Sequence, residues 1–183
     1  MDSSLARIHA RICGDGNISK YESSEPDRNR RAEVVYTNYD DRNIREFRED
    51  LNSKFGVKGS VYQDRIMVRS LRVVKELEDR FGTFGSKSFE LPEELFKASK
   101  EVKFQWIRAF IRDEGYHDES NDRLRIKLMN RSALGEIKAL LADLGICAHI
   151  TGPNCDDSFY LTVSELSSFS RLLDVVENKR KVK

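Results

Sequence analysis

Apolar residues along this chain alternate between a helical rhythm and a period-two rhythm, and the whole alternation occurs twice. Leu51-Asn-Ser-Lys-Phe-Gly-Val57 and Leu140-Leu-Ala-Asp-Leu-Gly-Ile146 both read as the end of an amphipathic helix with a glycine stop. A β-rich segment follows each, 59–70 and 148–164, and leads into a further helical pattern at Leu71–Phe81 and Leu166–Val176. Upstream, each half opens on a short helix ending in acid-Gly: Ile12-Cys-Gly-Asp-Gly16 and Ile111-Arg-Asp-Glu-Gly115. The predicted order in each half is helix, two strands, helix, two strands, helix.

In the first half the opening strands cover Asn17–Glu22 and Ala32–Asn38, joined by a polar stretch, 23–30, that signals a turn. In the second half Asp118-Glu-Ser-Asn-Asp122 marks a tighter turn. The strand after it alternates Arg123, Arg125 and Lys127 with Leu124, Ile126 and Leu128. Its apolar face needs a core; its basic face is left to solvent or to an anionic partner. A linker, 84–92, joins the halves, and Pro92 suits the first turn of a short helix. The chain therefore reads as α+β, with two pseudo-symmetric αββαββα halves at 1–90 and 91–183.

An isolated Asp-Gly says little, but two at matching places in a repeat say more. Ala6, Ala10 and Gly14 form a small-residue stripe on the first opening helix, which lets another helix approach closely. On the second, Phe104, Ile107 and Ile111 form an apolar stripe, with Ala109 the small counterpart of Ala10. Pairing these helices brings Asp15 and Glu114 together at two negative helix ends, an arrangement that a divalent cation stabilises. Oxygen ligands favour Mg²⁺. The alternative is that both acids are exposed helix-end residues.

Composition changes the picture only modestly. The 183 residues are 34% charged, with a formal net charge of +1. Net charge alone does not point to nucleic acid, so any phosphate contact requires charge segregated onto one face. The tail Lys179, Arg180, Lys181, Lys183 is either a solvated terminus or a phosphate contact. Cys13, Cys147 and Cys155 have neither metal-site nor disulfide spacing, and His9 and His149 show no ligand spacing. No apolar run approaches membrane-spanning length and no leader is evident, so a reducing, cytoplasmic setting is expected.

Ile8-His-Ala-Arg-Ile-Cys-Gly-Asp-Gly16 resembles a first LAGLIDADG motif, and Ile107-Arg-Ala-Phe-Ile-Arg-Asp-Glu-Gly115 resembles a second. The approach from Leu91 to Val102 is similar to the lead-in to the second motif in intein- and intron-encoded endonucleases. Over nearly its whole length the chain looks like a single-chain, two-motif homing endonuclease of the LAGLIDADG (dodecapeptide) type. The resemblance implies a saddle of two antiparallel sheets over double-stranded DNA, bound by a monomer. It implies metal ligation by Asp15 and Glu114, with Gly14 and Asp113 completing the set, and two or three Mg²⁺ ions for which Mn²⁺ substitutes. Asn38 and Asn130 fall where the family places a water-orienting amide, although both directly precede helices and fit an N-cap equally well. Arg72 falls at the family's basic position, with Ser167 at the matching place in the second half, and His117 is a further candidate. DNA contacts are expected from Lys20, Arg28, Arg30, Arg31, Arg123, Arg125 and Lys127. Two residues depart from the pattern. Arg11 stands where the family has an apolar residue and is expected to reach solvent from the helix edge. Asp113 stands where a small residue is usual, so it either loosens the helix crossing or adds a carboxylate. A catalytically impaired DNA-binding regulator, or a splicing maturase acting on intron RNA, is the alternative.

Overall fold

The computed structural model describes residues 1–21, 31–85, 88–164 and 172. Arg28, Arg30, the Arg31 side chain, Ser167, the rest of the expected final helix and the basic tail lie outside the described residues.

Each long helix begins where a short polar side chain satisfies its first amides. Asp2 accepts from Leu5 N at 3.0 Å and starts α1 (Ser3–Cys13). Asp40 caps α2 (Asp41–Phe55), which stops at Gly56 with φ 65°, a left-handed conformation that glycine adopts without strain. Ser70 caps α3 (Leu71–Phe81). Pro92 precedes the short α4 (Glu93–Phe96), and Ser99 caps α5 (Lys100–Glu114). Asn130 caps α6 (Arg131–Asp143).

The strands are β1 (Gly16–Tyr21), β2 (Arg31–Thr37), β3 (Ser60–Val61) and β4 (Arg65–Arg69) in the first half. In the second they are β5 (Gly115–Asp118), β6 (Arg123–Leu128), β7 (His149–Thr151) and β8 (Phe159–Ser164). The expected turn before β6 contains one 3-10 turn, Glu119–Asn121. Both sheets are antiparallel, ordered β1-β2-β4-β3 and β5-β6-β8-β7, so the second repeats the topology of the first.

Register gives the equivalences between halves. Gly16 pairs with Tyr36 and Gly115 with Ile126, so Tyr36 and Ile126 are counterparts, as are Asp40 and Asn130 further along. Both of the latter are N-caps. Along the opening helices, Asp15 corresponds to Glu114, Ala10 to Ala109, Arg11 to Phe110 and Arg7 to Trp106.

Helix α1 packs along α5 and has a face in each core. Leu5, Ile8 and Ile12 belong with Val34, Phe47, Leu51, Ile66 and Leu77. Ala6, Ala10 and Cys13 belong with Trp106, Phe110, Leu124, Leu134 and Leu141. The crossing is tight at Gly14, where a Cβ would stand 2.9 Å from that of Asp113. No helix among the described residues is long and apolar enough to cross a membrane.

Candidate active site

Asp15 and Glu114 terminate the two crossed helices. Asp15 is exposed and Glu114 half-buried. Between them lies Asp113, whose side chain has no exposed surface. Burial drives its carboxyl up to about 7; Arg11 opposes the shift, and the charges of Asp15 and Glu114 add to it. Three carboxylates thus feel one another at the crossing, as the paired acid-Gly helices imply.

The surroundings of Asp113 differ from expectation. Its Oδ1 accepts from the Tyr36 hydroxyl at 2.8 Å and from Asn38 Nδ2 at 3.1 Å, and Arg11 lies 3.6 Å away. Arg11 does not reach solvent: it is fully buried, donating to Tyr36 Oη at 2.5 Å, to Asn43 Oδ1 at 3.2 Å and to Glu46. The two departures from the motif pattern are therefore one feature, a buried ion pair across the crossing. Held by Tyr36, Asn38 and Arg11, the Asp113 side chain is an internal partner rather than an open metal ligand.

Asn38 donates to Asp15 Oδ2 at 3.3 Å as well as to Asp113, while its Oδ1 accepts from Asp40 N and Asn43 Nδ2. Asn130 has the other environment. Its Oδ1 caps Ala133 N at 3.1 Å and its Nδ2 donates to Phe89 O at 2.8 Å. Those bonds occupy both ends of the amide, and register makes Leu128, not Asn130, the counterpart of Asn38. The expected symmetry of the two amides is corrected accordingly.

Arg72 donates to Phe55 O at 2.6 Å and faces Glu76 at 3.6 Å. Phe55 ends α2, whereas Asn43 near its start touches Asn38; the 15-residue helix spans roughly 20 Å between them. Arg72 is thus too far to position water at the carboxylates. His117 pairs in register with Leu124, so its ring lies on the core side of the sheet, with Asp122 at 3.5 Å. That parity turns it away from the outer face of the sheet.

Parity also sorts the basic residues. Lys20 pairs in register with buried Ala32 and reaches Glu78 on α3, so it belongs to the helix side rather than the outer face. Its spacing from Ile18 was the available signal. Arg123, Arg125 and Lys127 take the outer face as the alternation predicts. Arg125 lies over Tyr160, 3.8 Å from the ring centroid, and 5.9 Å from that of Tyr116. Lys127 is tied to Asp156 at 2.6 Å. In the first sheet the outer face carries Arg65 and Arg69, exposed on either side of buried Ile66 and Val68. Sequence reasoning passed over them, although they show the same alternation as β6.

A network around Glu46 was not anticipated. It accepts from Arg11, from Arg108 at 2.7 Å and from Arg112 at 3.3 Å, with Arg7 at 3.9 Å. Burial alone would raise its carboxyl, but Arg11, Arg108 and Arg112 outweigh burial and lower it. Arg7 holds Asp50 by two bonds, 2.8 and 2.5 Å. On the opposite side of the crossing Trp106 stacks on Phe110 at 4.9 Å and donates to His9 Nδ1 at 3.0 Å.

Among the described residues no group of three or more His, Cys, Asp or Glu is arranged to hold a metal ion. The carboxylates accessible at the crossing are those of Asp15 and Glu114. That set suits a hard cation only if a bound molecule supplies further oxygens.

No protein-family model matches the sequence. A stretch of an A-type ATP synthase subunit from Pyrococcus abyssi is 27% identical over 169 residues, covering 89% of this chain. The chain spans only 16% of that protein's length. Among solved structures, variants of the homing endonuclease I-DmoI superpose with a TM-score of 0.70 at 19% identity, over 95% of this chain and 88% of theirs. I-DmoI in complex with DNA and Mn gives 0.69, also at 19% identity, over 95% and 96%. The N-terminal LAGLIDADG domain of DUF199/WhiA gives 0.57 at 12% identity, over 95% and 82%. With two acid-Gly helices crossed between two sheets of identical topology, the chain has the LAGLIDADG homing-endonuclease fold.

Proposed function

We propose that the chain is a divalent-metal-dependent endonuclease that, as a monomer, cuts both strands of a long asymmetric DNA site. The observation that carries this reading is the convergence of the two acid-Gly helix ends on the crossing, where Asn38 donates both to Asp15 and to Asp113, the neighbour of Glu114. I-DmoI, of the same fold, has been crystallised with DNA and Mn, and a substituted variant of it with its target DNA in the presence of Mg. The likeness to 16% of a much longer protein supports a module carried within host sequence, as an intron- or intein-like element would be.

In this reading residues 1–90 and 91–183 each serve one strand, and the outer faces of the two sheets meet the major groove, where base edges are distinguishable. Arg65, Arg69, Arg123 and Arg125 are the contacts the outer faces offer. Asp15 and Glu114 would hold Mg²⁺, with the Gly14 backbone carbonyl as a further oxygen donor. The chemistry such an ion would supply there is activation of water and neutralisation of charge on the phosphate. Asn38 orients the Asp15 carboxylate and presents its amide toward the first-half reaction centre. Tyr36 and Arg11 keep Asp113 from adding a further open negative charge next to an incoming phosphate.

Asp15→Asn and Glu114→Gln should each abolish cutting while leaving DNA affinity within about tenfold, since the carboxylates serve the metal rather than the duplex. Cleavage at the wild-type rate by either variant would falsify that residue's role. The second reading, a DNA-binding regulator without nuclease activity, is favoured by the likeness to the WhiA domain and by the internal cation Arg11 at the carboxylates. Specific duplex binding with no cleavage in Mg²⁺ or Mn²⁺ selects it.

A further inference from the structure

The arginines beside the crossing are not matched one for one by carboxylates. Arg7 has Asp50 at 2.5 Å, Arg42 has Asp40 at 2.7 Å, and Arg11 faces Asp113 at 3.6 Å. Glu46 then stands as the carboxylate for both Arg108 and Arg112, at 2.7 and 3.3 Å. Two guanidiniums sharing one carboxylate leave about one unit of positive charge unneutralised in a half-buried setting. Arg108 Nε is buried with no hydrogen-bond partner among the described residues. The two side chains keep 26% and 23% of their surface exposed, so a ligand can reach them.

We propose that Arg112, with Arg108 beside it, is a seat for one backbone phosphodiester on the first-half side of the helix crossing. Arg112 meets Glu46 and also acts electrostatically on Asp40, whose backbone N–H donates to Asn38 Oδ1; Asn38 in turn donates to Asp15, so the seat lies on the Asp15 side of the crossing. A polyanion approaching Asp15 and Glu114 meets repulsion, and a fixed positive charge at one flank offsets it. Planar guanidinium donors suit the paired oxygens of a phosphodiester, and free phosphate shares that chemistry. The seat has no twin. The places of Arg108 and Arg112 on α1 are taken by His9 and Cys13, both buried. It therefore grips one strand. This inference rests on the nucleic-acid reading above and deepens it.

The test is binding of a random-sequence duplex in EDTA, where no cleavage intervenes, across a potassium chloride series. Arg112→Met should flatten the dependence of log affinity on log salt by about 1, the loss of one phosphate contact, while Arg112→Lys retains it. Thermal melting checks folding, and Arg108→Met serves in its place should Arg112→Met not fold. An unchanged slope in a folded charge-removed variant overturns the seat and leaves DNA binding standing. If wild type binds no duplex, the nucleic-acid reading falls and inorganic phosphate decides the seat. Stabilisation of wild type but not of Arg112→Met supports a free-anion seat; equal response in both overturns it.

Discussion

Arg7 and Arg11 on α1 occupy the places that Trp106 and Phe110 occupy on α5, and what surrounds each pair follows suit. Around the arginines lie Tyr36, Asn43, Glu46 and Asp50, with Arg108 and Arg112 reaching in from α5. Around the aromatics lie Phe84, Phe89, Leu134 and Leu141, with His9 and Cys13 reaching in from α1. Tyr36 has Ile126 as its counterpart, and buried Asp50 on α2 has the apolar Leu140 on α6. One backbone plan thus tolerates a charged filling and an aromatic one, because the sheets and the Gly14 approach set the geometry while local pairing satisfies either chemistry.

The aromatic side should be the more costly to truncate. Trp106→Ala removes a fully buried ring stacked on Phe110, and should cost about 3–5 kcal/mol in chemical denaturation. A loss under about 1 kcal/mol would mean the second half holds the crossing by other contacts. On the charged side, Arg11→Met leaves Asp113 buried beside Asp15 and Glu114 without its cation, at a cost of about 3 kcal/mol. Adding Asp113→Asn should recover most of that; no recovery would show that Arg11 serves Glu46 or packing rather than Asp113.

The smallest expected effect is a pH slope. Burial lowers His9 to about 3, with Glu94 opposing, so the folded state keeps the ring neutral while the unfolded state titrates near 6.5. Between those values the unfolded chain binds the extra proton. The contribution of neutral His9 is therefore complete above about pH 6.5 and lost as pH falls toward about 3, by at most about 1.4 kcal/mol per pH unit. His9→Gln keeps an acceptor for Trp106 and does not titrate, so its stability should fall less between about pH 6.5 and 5. Parallel melting curves for the two proteins over that range would remove His9 as an acid-sensitive element.

What was legible in the sequence was whatever depends on neighbours along the chain. The glycine stops, the alternation in β6 and the matched acid-Gly ends all reappear, because capping, pleat and repeat are local or periodic. Arg11 was misread because a lone charge on a helix reads as solvent-facing, while the groups that bury it (Tyr36, Asn43, Glu46, Asp113) come from three other elements. Asn38 and Asn130 look alike in sequence, and only strand register separates a residue beside Asp15 from a helix cap. Lys20 and Arg65 were within reach of parity alone.

The exchange of side chains across the crossing also distinguishes the pairing of unlike halves from a pairing of like ones. Two copies of the first half would pair α1 with α1, leaving Glu46 without Arg108 and Arg112. Two copies of the second would replace Glu46 with its counterpart on α6, Glu136, which already accepts from Leu91 N at 2.7 Å. Either self-pairing therefore loses the bonds that Arg108 and Arg112 make to Glu46 across the crossing, which belong to the unlike pairing alone. What sets the unlike pairing apart is thus carried on the faces of the helices rather than in the linker.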